Sequence, residues 1–195
     1  LLCRKNTNIT LNYLHSQLLI VSKHQTISFN PKIIIPLHPE NPKMKLHRNL
    51  VFATIDSLQE IFNEGKHADK VLRNTLKRDK RWGARDRSFI AETTYDIVRW
   101  KRLYAEIAEV KEPFKRPDLF RMFTVWATLR GIRLPDWPQF KDTPTRRIKG
   151  RFDALSKIRK YRESIPDWLD ELGEKELGEK WDAEIAAQNQ LADVI

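Results

Sequence analysis

Residues 82–104 read WGARDRSFIAETTYDIVRWKRLY, and the spacing within this stretch decides the fold class. Its opening, Trp82-Gly83-Ala84-Arg85, has turn character. Asp86 stands where an N-cap belongs, its carboxylate able to accept a hydrogen bond from a free first-turn N–H. Beyond it Phe89, Ile90, Ile97, Trp100, Leu103, Tyr104 and Ile107 recur at helical spacing and share one arc of a helical wheel. Glu92, Tyr95, Arg99, Arg102 and Glu106 fall opposite. The pattern predicts one long helix with a core face and a charged face.

Downstream, Pro113 ends this helix and Pro117 suits the first position of the next. From Leu119 to Leu129 that next helix is apolar almost all round, with Phe120, Met122, Phe123, Val125 and Trp126, so it belongs at the centre of a bundle. Arg121 and Arg130 are its cations, too few for a base-stacking surface. Gly131 and Pro135 break the chain. Thr143-Pro144 then reads as N-cap and first residue of a helix over Thr145–Arg162, with Ile148, Phe152, Leu155 and Ile158 facing inward. Arg151, Arg159 and Arg162 lie nearer the apolar side, where long stems can pack. Pro166 starts a further helix with Trp168, Leu169 and Leu172 as anchors. The two copies of Leu-Gly-Glu-Lys at 172–175 and 177–180 read as helix ends, and Trp181–Gln190 as a last amphipathic helix.

Upstream, Leu46–Glu64 places Val51, Ile55, Leu58 and Phe62 on one face and stops at Gly65. A shorter helix over Ala68–Lys77 turns Val71, Leu72 and Leu76 inward. Residues 1–43 have a different character: short apolar runs, an Asn-, Thr- and Ser-rich context, and Pro31, Pro36, Pro39 and Pro42. Met44 is the first methionine, so residues 1–43 are expected to be a leader outside the fold, upstream of the natural translation start. They lack the apolar core and cleavage site of a signal peptide.

Among 195 residues the single Cys3 excludes a disulfide framework. The net charge of +10 is uneven: residues 44–164 hold 29 basic and 16 acidic side chains, residues 165–195 hold 2 and 9. A basic body with an acidic end favours a polyanion, most simply nucleic acid, while tail-to-body ion pairs are the plainer explanation. No apolar run reaches membrane-spanning length, and the setting is expected to be cytoplasmic with no membrane partner.

Asp86-Arg87, Phe89, Tyr95 and Val98-Arg99-Trp100 resemble the signature helix of NusB-like RNA-binding domains, in particular the N-terminal domain of the RsmB/Sun (Fmu) ribosomal RNA cytosine-5 methyltransferases. Ser164-Ile165-Pro166-Asp167-Trp168-Leu169 resembles that family's S-x-P-x-W-L element. The resemblance extends from about Leu46 to the end. It implies an all-α, NusB-like bundle of about seven helices over residues 44–163, and a helical extension over 164–195 leading toward a methyltransferase domain. The implied role is substrate recognition on RNA, most simply ribosomal RNA, for an S-adenosylmethionine-dependent enzyme.

The chemistry itself is expected elsewhere. Adding to carbon 6 of cytosine takes a cysteine thiolate, and Cys3 lies isolated in the leader. The six glycines sit at expected turns or helix ends rather than in a cofactor loop, and the histidines lack metal-ligand spacing. No catalytic, cofactor or metal residue is nominated, and S-adenosylmethionine is implied only for the further domain. What remains is binding. The candidate RNA surface combines Lys77, Arg78, Lys80, Arg81, Arg85 and Arg87 around one turn with Arg146, Lys149, Lys157 and Lys160 on a later helix. Base recognition would call for stacking, with Trp82 or Tyr161 as candidate rings. Two rivals stand beside this reading. One is a free-standing NusB-like antitermination or ribosome-assembly factor with a protein partner; the other is a protein-interaction module.

Overall fold

The computed structural model describes residues 45–141 and 145–190. The expectations for the leader, for Met44 and for the Thr143-Pro144 cap lie outside the described residues. Within them the chain is all-α: nine α-helices and two short 3-10 turns, with no strand. The helices are α1 (Arg48–Asn63), α2 (Ala68–Arg78), α3 (Ala84–Arg99), α4 (Lys101–Ala108), α5 (Arg116–Leu129), α6 (Thr145–Leu155), α7 (Arg159–Arg162), α8 (Asp167–Leu177) and α9 (Trp181–Gln188).

Helix α5 is central, packed on α1, α3, α4 and α6. Leu119, Phe120, Met122, Phe123, Val125, Trp126 and Ala127 are all buried, as an all-round apolar helix requires. Its C-terminus closes through Gly131 in the left-handed region (φ +68°), with Ile132 N–H bonded to the Ala127 carbonyl at 2.9 Å. Pro117 occupies the second helical position, not the first, because the helix starts at Arg116. The inward faces of α1 (Val51, Ile55, Leu58) and α2 (Val71, Leu72) are buried as their spacing predicts.

The long helix departs from expectation twice. Asp86 is the third residue of α3, not its N-cap, and its carboxylate reaches back to accept the Gly83 N–H at 3.1 Å. The helix is also broken at Trp100 (φ −98°, ψ 23°), so α3 and α4 are separate. The break is held from a distance. The Arg102 N–H, unpaired within its own first turn, donates to Ser164 Oγ at 3.1 Å. Ser164 itself sits at φ +54°, where α7 ends with Ile165 N–H bonded to the Lys160 carbonyl. The Arg102 guanidinium then donates to the Ile165 carbonyl and to Asp167. Its side chain lies 5.0 Å from the centroid of the Tyr161 ring.

Three expectations for the C-terminal part are corrected. The helix from Thr145 stops at Leu155 and resumes at Arg159, which leaves Ile158 45% exposed instead of inward. Trp168 and Leu172 are exposed (45% and 46%) and are not anchors; Leu169 packs on the small cluster of Ile165, Trp181 and Ile185. Gly173 is buried within α8 and is no helix end, whereas Gly178 (φ +53°) does cap it. A Cβ at Gly173 would fall inside the Trp181 indole. Gly173→Ala is therefore expected to cost about 1–3 kcal/mol by overpacking and to loosen α9. Hydrogen exchange of α9 amides against those of α5 checks this, and unchanged α9 protection would contradict it.

Candidate nucleic-acid interface

Successive turns of α2 present cations to solvent. Lys70, Arg73 and Lys77, with Asn74 between them, are exposed, while Val71, Leu72 and Thr75 are buried on the other side. Spacing of three and four residues puts the exposed set on one helix face. The stripe runs on into the turn 79–83 and the first turn of α3, where Lys80, Arg85 and Arg87 are exposed. Lys70 and Arg73 were not among the residues singled out from the sequence. They are scattered singly, and only helical phase aligns them with the basic turn.

The structure sorts the candidates by what already holds them. Arg78 pairs with Glu60 at 2.7 Å. Arg81 is clasped by Asp79 through Nε (3.0 Å) and a terminal nitrogen (2.8 Å). The guanidinium and the Arg81 N–H in turn hold the Asp79 carboxyl down at about 2. The Arg87 Nε donates to the Trp82 carbonyl at 3.0 Å. Among the described residues no ion pair is formed by Lys70, Arg73, Lys77, Lys80 or Arg85, and all five are exposed.

The second set divides likewise. Arg146, Lys149 and Lys157 are exposed and form no ion pair among the described residues, but Lys160 pairs with Asp167 at 2.9 Å. Helix α6 packs on α4 and α5, whereas the basic turn rides on the cluster of Leu50, Ala53, Leu72, Trp82 and Ile90. The two basic sets thus belong to different packing clusters. The acidic end is engaged with its own side of the molecule: Arg159 with Asp170 and Glu174 (both 2.6 Å), Arg162 with Asp182, and Arg102 with Asp167. Tail-to-body pairing, the plainer explanation of the charge asymmetry, accounts for these groups. Arg151, Arg159 and Arg162 serve as ion-pair partners as well as packing stems, Arg151 bonding Glu109 and the Glu106 carbonyl.

Neither Trp82 nor Tyr161 presents an open ring face for stacking. Trp82 is only 9% exposed and sits in the second cluster, and Tyr161 is half-buried beneath Arg102 and Lys160. Beside the α2 stripe, Phe89 meets Trp126 edge-on at 6.0 Å. Tyr95 donates to Asp69 at 2.6 Å; burial and that carboxylate push its phenol well above the usual range. The surface offers charge without a free ring.

Within the bundle lies a different kind of polar site. Arg130 pairs with Asp96 at 2.8 Å, and both side chains are nearly buried (8% and 13% exposed). Tyr104, fully buried, donates to the same carboxylate at 3.2 Å. Burial pushes the Asp96 carboxyl up and the facing Arg130 guanidinium opposes it. Arg99 extends the network by donating to the Asn189 carbonyl, and Asn189 donates to Glu163 at 2.8 Å. The Arg130 and Asp96 charges offset each other, and the Tyr104 hydroxyl adds a hydrogen bond to the same carboxylate.

Among the described residues no group of His, Cys, Asp and Glu is placed to hold a metal ion, and no helix is long and apolar enough to cross a membrane. No protein-family model, no curated protein and no solved structure matches the chain.

Proposed function

We propose that this chain is an RNA-binding module that serves substrate recognition for an S-adenosylmethionine-dependent ribosomal RNA cytosine-5 methyltransferase. The observation that carries the binding half is the run of exposed cations without ion pairs along α2, the turn after it and the start of α3. Such groups neutralise phosphates and release counterions, so affinity is strong and steeply salt-dependent. The enzymatic half rests on the sequence resemblance. It is supported by the way the two resembling segments meet, Ser164 Oγ accepting the N–H of Arg102 just past Val98-Arg99-Trp100.

The test is a salt titration of RNA binding. Lys77, Lys80 and Arg85 changed together to Ala should weaken binding to many RNAs alike and flatten the log–log slope by about 2, each lost phosphate contact contributing roughly 0.7 on a single strand. Thermal stability should stay within about 0.5 kcal/mol of the parent, since these are surface positions. Equal slopes for parent and variant would remove this turn from the RNA site. A second reading, a protein-docking module, is favoured by Trp168 and Leu172, which stand 45% and 46% exposed on one face of α8. Absence of salt-sensitive RNA binding by the parent would support that reading instead.

A further inference from the structure

The RNA-binding proposal leaves open which form of RNA the surface takes, and the following rests on it. We infer that the α2 stripe of Lys70, Arg73, Asn74 and Lys77, continued by Lys80 and Arg85, binds the backbone of double-stranded RNA and does not bind unpaired bases.

Binding of single strands draws on stacking, in which each base gains about 1–3 kcal/mol on an aromatic ring, and specific reading of loops likewise splays bases onto rings or guanidinium planes. Here the neighbouring rings are occupied. Trp82 is buried, Phe89 faces Trp126, and the Tyr95 hydroxyl is bonded to Asp69. What remains is a straight row of charge. From Lys70 to Lys77 a helix rises about 10 Å. Over that length a duplex offers about six phosphates and one of its strands about three, taking the B-form axial spacing. A surface that gains energy from phosphates alone favours the denser array.

The row also carries the group needed to tell RNA from DNA. Asn74 is exposed between Arg73 and Lys77, and its amide can both donate to and accept from a 2′-hydroxyl. On an A-form helix those hydroxyls line the wide, shallow minor groove, between the two phosphate backbones. The helix therefore lies across that groove, with the cations on the phosphates and Asn74 over the hydroxyls. Recognition follows duplex shape and is indifferent to base sequence.

The experiment uses the whole chain with three fluorescent probes of equal length: a mixed-sequence RNA duplex, oligouridine, and the DNA duplex of the same sequence. At moderate salt the RNA duplex should bind about tenfold tighter than oligouridine. Raising salt from about 50 to about 200 mM should weaken duplex binding about 500-fold if five phosphates are neutralised, and about 12-fold in the Lys70→Ala, Arg73→Ala, Lys77→Ala variant, which keeps two. The charge-preserving variant Lys70→Arg, Arg73→Lys, Lys77→Arg should restore the steep slope. Asn74→Ala should narrow the gap between RNA and DNA duplexes and leave the salt slope unchanged. Circular dichroism confirms that each variant is folded.

Oligouridine binding as tightly as the duplex would overturn the inference while leaving RNA binding standing. So would an unchanged slope in the triple Ala variant. DNA bound as tightly as RNA would overturn the assignment to RNA duplexes. Failure of both RNA probes to bind at low salt would overturn the underlying RNA-binding proposal as well.

Discussion

Replacing Arg130 with Ala is expected to lower the unfolding free energy by about 3–5 kcal/mol, the usual consequence of leaving a buried charge without its partner. Asp96 already carries a carboxyl raised by burial, and the Arg130 guanidinium at 2.8 Å is the main group offsetting that cost. Without it the carboxylate must take up a proton or draw in water, and the Tyr104 hydroxyl is too weak a substitute. The pair need not be strongly favourable overall, because desolvating two ions offsets most of their attraction. Exchanging both at once, Asp96→Leu with Arg130→Met, should therefore recover roughly half or more of the loss. Urea unfolding of the two single variants and the double variant decides it. A double variant as unstable as the sum of the singles would show that the two charges do not act as a unit.

Trp126→Ala should cost a comparable amount, about 3–5 kcal/mol, through lost burial and the cavity left behind. The indole is 5% exposed, packs on Phe123 (5.1 Å between centroids) and Phe89, and lies 5.4 Å from the Arg130 guanidinium carbon. Against a typical total of about 5–15 kcal/mol, such a loss approaches unfolding. Trp168→Ala is the internal comparison: that indole is 45% exposed, so its removal should stay within about 0.5 kcal/mol. Native melting by Trp126→Ala together with lost RNA affinity would move Trp126 from the core to the binding surface. Because Trp126 and Arg130 touch, their effects should not add.

These two tryptophans also mark what the sequence discloses. Trp126 sits in a run that is apolar on every side, which leaves burial as the sole arrangement. Trp168 sits in an amphipathic helix, where periodicity identifies two faces without saying which one finds a partner. The inward face here is the one carrying Gly173, whose missing side chain leaves room for the Trp181 indole. The break at Trp100 was illegible for another reason. Local spacing continues through it, and the group that satisfies the freed Arg102 N–H lies 62 residues away. The basic turn was legible as a charge run, but not which of its members are free. That depends on Glu60 and Asp79 reaching Arg78 and Arg81. Lys70 and Arg73 were missed because a helical stripe is not a run, though the spacing 70, 73, 77 could have exposed them once α2 was accepted as a helix.

The junction at Glu163 and Ser164 bears on how the molecule can be dissected. A fragment ending at residue 163 looks natural from composition, since the acidic end starts just beyond it. Yet such a fragment would discard the Ser164 oxygen that closes the first turn of α4 and the Asn189 amide that satisfies the buried Glu163. Arg102 would lose both of its downstream acceptors, the Ile165 carbonyl and Asp167. Trimming at that point therefore truncates a cooperative unit. Fragments meant for crystallisation or RNA binding should retain residues through at least Gln190, and a protease survey should find the 163–164 peptide bond among the slower sites to be cut.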